Sequence, residues 1–153
     1  MKKYELTAEF IEKWGKKLFR IKALISFGSV EAGELGGYVE KEDNLAQDGD
    51  AWVYGNARVY GDARVCGNAD YLLIGRIGSR FSFTTFFKNK DKGITVSCGC
   101  FLGTIAEFRA KVTDTHGNNK HAKIYNLAAD MAELQILGEE HFDKLNTNKS
   151  EPF

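Results

Sequence analysis

The chain has 153 residues, enough for one domain or for a short repeat element joined to a small globular unit, with a core that needs no covalent staples. Its 21 basic and 21 acidic side chains cancel, which argues against nonspecific nucleic-acid binding, because proteins that grip a phosphate backbone carry a basic excess. No run has the length and apolarity of a membrane helix, the first residues lack the apolar core of a signal peptide, and three cysteines are an odd set for a disulfide framework; the expectation is a cytoplasmic chain with reduced thiols and no membrane contact.

Residues 1–40 read as an N-terminal cap. "LTAEFIEKWGKKL" fits a short helix or a polar strand, while "LFRIKALISFG" alternates Phe19, Ile21 and Ala23 with polar neighbours and predicts a strand. Gly33, Gly36 and Gly37 read as turns around a short strand at Tyr38–Val39.

Residues 41–71 repeat. "AWVYGNARVYGDARVCGNAD" carries Ala51, Ala57 and Ala63 at one slot, Val53, Val59 and Val65 two residues later, and Gly55, Gly61 and Gly67 two residues after that, each followed by Asn or Asp. Alternation puts Ala and Val on one side of a strand, and Gly-Asn or Gly-Asp tolerates the positive-φ corners most residues avoid. A β-meander and a left-handed parallel β-helix both fit. The recurring alanine favours the β-helix, because a narrow triangular prism needs a small residue where its sides converge. Five or so hexads make fewer than two coils, so both ends need covers. Trp52, Tyr54 and Tyr60 occupy outward slots in this reading and form a candidate partner surface, which predicts a homo-oligomer, a dimer or trimer.

Residues 72–137 read as a β-hairpin followed by two helices. "FSFTTFFKN" is aromatic and β-branched, "KDKG" is a turn and "ITVSCGCF" is the return strand. Ile105, Phe108 and Val112 have helical spacing with Gly117 as the stop. A second helical pattern runs from Ala122 to Leu137, with an Asn in "HGNNKHAK" as its N-cap. Residues 138–153 are a polar tail. The expected fold is therefore a β-rich α+β protein: a short left-handed β-helix between an N-terminal strand cap and the hairpin with two helices.

"FRIKAL", "AGELGGYVEKEDNLAQDGDAWVYGNARVYGDARV" and "GRIGSRFSFTTFF…VSCGCFLGTIAEF…HGNNKHAKIY" together resemble a family of hexapeptide-repeat proteins found in bacteriophages, prophages and gut bacteria. The resemblance spans about residues 18–137. It implies a β-helical fold and a mobile-element origin. It supplies no catalytic residue, since the "IGSR…TTFF…CGCF" unit marks a domain of unassigned function, although the "GELGGY" hexads also resemble bacterial acyltransferases.

Hexapeptide acyltransferases use a histidine base near their coils, whereas His116, His121 and His141 all lie in or after the helical patterns. Cys98-Gly-Cys100 is too closely spaced for the usual zinc pair and reads as two small residues packed on the helices, so neither a metal nor a cofactor is expected. "GRIGSR" is the stretch with ligand chemistry: Gly78 and Ser79 let a backbone approach an anion, Arg76 and Arg80 supply bidentate donors, and Thr84 and Thr85 follow with hydroxyls. A plain turn with solvated arginines explains the same residues. The expected function is a non-enzymatic phage-type binding protein that counters or modulates bacterial host defence, holding a nucleotide-like anionic ligand or a host protein. A divergent acyltransferase and a structural spacer module are the alternatives.

Overall fold

The computed structural model describes residues 2–13, 15–99, 101–141 and 143. Among the described residues, two four-stranded sheets, two α-helices, a π-helical stretch and two short 3₁₀ turns form a mixed α+β fold.

The first sheet has the order β1-β2-β3-β4. Strands β1 (Tyr4–Lys13) and β2 (Lys16–Ala23) form a long antiparallel hairpin, so the stretch that fits helix or strand is a strand. Ile21 and Ala23 face the core as the alternation requires. Leu18, not Phe19, is the third buried residue, because the pairing with β3 (Leu35–Val39) shifts register between Arg20 and Lys22. Gly36 and Gly37 lie inside β3 and are not turns. A Cβ at Gly36 would come within 2.6 Å of the Val53 carbonyl oxygen and 2.8 Å of the Trp52 ring, and one at Gly37 within 2.8 Å of the Ala57 carbonyl oxygen. These glycines let β3 press against the repeat.

The repeat does not form the expected β-helix. Among the described residues no left-handed parallel β-helix is present. Within the hexads the one strand is β4 (Arg58–Val59), parallel to Tyr38–Val39, and further pairing is limited to single bridges, Leu45 with Val65 and Ala63 with Asn89. The inward assignment of the small residues holds: Ala51, Val53, Ala57, Val59, Ala63 and Val65 are all buried, and Gly49, Gly55 and Gly61 turn at φ +74°, +54° and +66°. Alternation reports which way a side chain points, not which strand its backbone pairs with, and here the partners come from outside the repeat.

That burial also corrects the expected partner surface. Trp52 is 0% exposed and packs edge-on against Tyr4 and Phe27, at ring distances of 6.3 and 5.3 Å. Tyr60 is 0% exposed, with its hydroxyl 3.2 Å from Ser97 Oγ. Of the three, Tyr54 alone reaches solvent. The flanking sheets cover the flat sides that an isolated coil would expose.

The second sheet is an antiparallel meander of β5 (Tyr71–Ile77), β6 (Ser82–Lys88), β7 (Ile94–Cys98) and β8 (Phe101–Thr104). It is thus larger than the expected hairpin: the apolar run after residue 70 and "FLGT" add the outer strands. Its two faces are committed to different neighbours. Phe86, Ile94 and Val96 pack with helices α1 (Ile105–His116) and α2 (Lys120–Ala132), whereas Phe87 and Tyr71 join Val53, Val59 and Val65 in one core with the repeat. Thr95 donates to Asp62 Oδ1 at 3.4 Å on that second side.

The helices start and stop where the caps dictate. Thr104 accepts from Glu107 N–H while Glu107 accepts from Thr104 N–H, a capping box, and Gly117 ends α1 at φ +61°. Asn119 accepts from Ala122 N–H to open α2, which continues into a π-helical stretch, Glu133–Leu137. Arg109 ties the pair together, donating to Asn126 Oδ1 at 3.0 Å, to Asp130 at 2.6 Å and to Glu133. Among the described residues no helix is long and apolar enough to cross a membrane.

Candidate functional site

The β5–β6 turn stands over α2. It reverses through Gly78 at φ +83° and closes with Phe81 N–H donating to the Gly78 carbonyl at 3.1 Å. Gly78 lies against the Tyr125 hydroxyl so closely that a Cβ there would overlap it. The turn thereby carries Ser79 and Arg80 to the rim of a cleft of about 560 Å³ between the end of the second sheet and the two helices, a volume ordinary for a small-molecule site.

Phe101, Leu102, Phe108 and Val112 give this cleft an apolar floor. Phe108 is held by edge-on contacts with Phe86 and Tyr125, each at 5.6 Å. Tyr125 forms one wall, and the His116 ring stacks on it at 5.9 Å with 23° between planes. The polar rim comes from two places: Arg80 and Ser82 at the β5–β6 turn, and Lys111, Thr115 and His116 from the C-terminal half of α1.

Beneath the rim runs a short hydrogen-bonded chain. Thr84 Oγ1 donates to Cys98 Sγ at 3.2 Å, and the Cys98 thiol donates to the Tyr125 hydroxyl at 3.9 Å. Burial, reinforced by Cys98, pushes the Tyr125 phenol up to about 12, with the Arg80 charge opposing. Tyr125 therefore stays protonated at neutral pH, and its proton is available to a ligand oxygen.

The charge is one-sided. No residue lining the cleft is acidic, and among the described residues neither Arg80 nor Lys111 has an ion-pair partner. Other basic side chains close to a carboxylate are paired: Arg20 with Glu9, Arg64 with Asp43, Lys88 with Asp70 and Arg109 with Asp130 and Glu133. A neutral chain that leaves two cations free over an aromatic floor has a site suited to an amphipathic anion.

The six residues expected to converge on one ligand do so only in part. Ser79 and Arg80 line the cleft and Gly78 shapes its wall. Arg76 points elsewhere, its guanidinium 6.0 Å from the Phe83 ring centre. Thr84 is buried below Cys98, and Thr85, buried on the opposite face of β6, accepts from Arg58 N–H at 3.2 Å. Sequence reasoning missed Lys111, Thr115, His116 and Tyr125 as site residues; the signal for the first three was the polar flank of the α1 stripe through Phe108 and Val112, whereas Tyr125 lies in the apolar pattern of α2 and carried none. Cys98 does face the helices as expected, while Cys100 lies outside the described residues. Among the described residues no group of three or more His, Cys, Asp or Glu is placed to hold a metal ion.

The chain matches no protein-family model and no curated protein sequence, so the resemblance to hexapeptide-repeat proteins rests on its own residues.

Proposed function

We propose that this chain is a non-enzymatic binding protein whose cleft holds a nucleotide-like anion, the planar part on Phe108 and Tyr125 and the anionic part under Arg80 and Lys111. The observation that carries this reading is the acid-free rim with two unpaired cations above an aromatic floor. In the setting that the family resemblance suggests, a phage or prophage protein in the bacterial cytoplasm, sequestering a nucleotide signal would blunt a host defence response. A host protein is the other partner of that kind. The acyltransferase and spacer alternatives drew their support from the short β-helix, and that support goes with the corrected fold.

Calorimetric titration of the purified chain with AMP, inorganic phosphate and acetyl-CoA tests the proposal. AMP should bind and inorganic phosphate alone should bind far more weakly, because it lacks the ring. Replacing Arg80 with Ala should weaken AMP by about tenfold or more, as loss of a charged hydrogen bond does. The melting temperature should barely move, since Arg80 is exposed and unpaired. Absence of AMP binding, or an R80A variant that binds as well as the parent, would sink the reading.

A further inference from the structure

The cleft has a neighbour. On the opposite face of the second sheet, Asn56, Arg58, Phe83 and Thr85 line a smaller hollow of about 270 Å³. The two hollows share Ser82 and Gly99, which stand at the adjoining ends of β6 and β7. The ridge between them is low. Gly99 has no side chain, and the space where a Cβ would stand is open.

The second hollow repeats the chemistry of the first. It has one aromatic ring, Phe83, with Arg76 against it, and one guanidinium, Arg58. Among the described residues neither Arg58 nor Arg76 has an ion-pair partner, and no lining residue is acidic. Lys13 Nζ reaches the ridge, donating to the Gly99 carbonyl at 3.2 Å.

We infer that the two hollows form one bipartite site, straddling the end of the sheet, for a ligand with two anionic groups and two planar rings, a dinucleotide. Resting on the proposal that the larger cleft holds a nucleotide, it adds that Arg80 takes the terminal 5′-phosphate and Arg58 the phosphodiester, with the sugar between the two phosphates crossing Ser82 and Gly99. Arg58 is suited to that role because its backbone is fixed independently of its side chain: the N–H donates to Thr85 and the residue pairs with Tyr38.

Titration with AMP and with the 5′-phosphorylated dinucleotide pApA separates the two readings. The parent chain should bind pApA about tenfold or more tighter than AMP. R58A should reduce pApA to the affinity of AMP and leave AMP unchanged, while R80A weakens both. Asn56→Asp, an exposed change that folding should tolerate, should also weaken pApA alone by placing a negative charge in the second hollow. If pApA binds no tighter than AMP, or R58A and N56D leave it unaltered while R80A weakens AMP, the bipartite site is wrong and the single-cleft proposal stands. If the parent chain binds neither nucleotide, both fall.

Discussion

Gly78 and Tyr125 meet with no room for another atom between them. Gly78→Ala has two costs, a Cβ in the left-handed region and an overlap with the phenol. It should destabilise the chain by about 2 kcal/mol and displace Tyr125, with weakened ligand binding as the second readout. A thermal melt equal to the parent's would refute the contact. Tyrosine burial has a pH consequence as well. Burial raises the phenols of Tyr4 and Tyr71, and Tyr125 to about 12, above the ordinary value of 10.0. The folded chain keeps protons that the unfolded chain releases, so this contribution is complete below about pH 10 and is lost as pH rises from there toward the folded values. Urea midpoints should therefore fall between about pH 10 and pH 12, and phenolate absorbance should rise late for these groups. At this scale Arg80 was readable from its place beside Gly78 in a turn. Residue type alone makes Thr84 and Thr85 look like interchangeable shell hydroxyls, but adjacent residues of a strand face opposite sides, so they cannot both line the Arg80 cleft.

At the scale of elements, the helices were the most legible parts, because their signals are local. Thr104 with Glu107, Gly117 and Asn119 mark ends that need no distant partner. Thr104→Ala should cost about 1 kcal/mol, since it frees the Glu107 N–H, and Thr104→Ser should restore most of it. The strands were less legible. β8 is four residues long and carries a glycine, and β3 hides two glycines that look like turns and are close approaches. The hexads show the limit most clearly: the inward residues from Ala51 to Val65 are buried as their alternation requires, Ala69, next in the alanine series, is exposed, and the architecture differs. Val59→Asp tests the part that held. It puts an unpaired charge at a fully buried position in β4 and should cost about 3 kcal/mol or more, enough to prevent soluble expression if the chain is of ordinary stability. Arg58→Asp, one residue away and partly exposed, should fold.

For the molecule as a whole, the second sheet decides the organisation. Phe86 serves the helical core and Phe87 the core shared with the repeat, so two cores meet across one strand. The sequence division at residue 71 marks a change of pattern, and packing crosses it. Unfolding should therefore be a single transition. Tryptophan emission of a Trp14→Phe variant, which leaves Trp52 in the repeat core as its reporter, and the helical signal of residues after 104 should change at the same temperature; two separated midpoints would show independent units. The site was only half legible for the same reason. Its turn arginine is local, but Lys111, His116 and Tyr125 arrive from helices whose docking depends on the far side of the sheet.

Repeat arrays ordinarily grow or shrink by copying a unit, since each unit contacts only its neighbours. This one is pinned from the side. Tyr60 meets Ser97 and Asp62 meets Thr95, both in β7, and Lys90 N–H donates to the Asp62 carbonyl at 2.8 Å. A duplicated "GNARVY" after Tyr60 would keep every hexad intact and still leave the following corner out of step with these contacts. The number of hexads is consequently frozen by a strand that is not part of the repeat, and the chain has lost the length variation that its most regular stretch would otherwise permit.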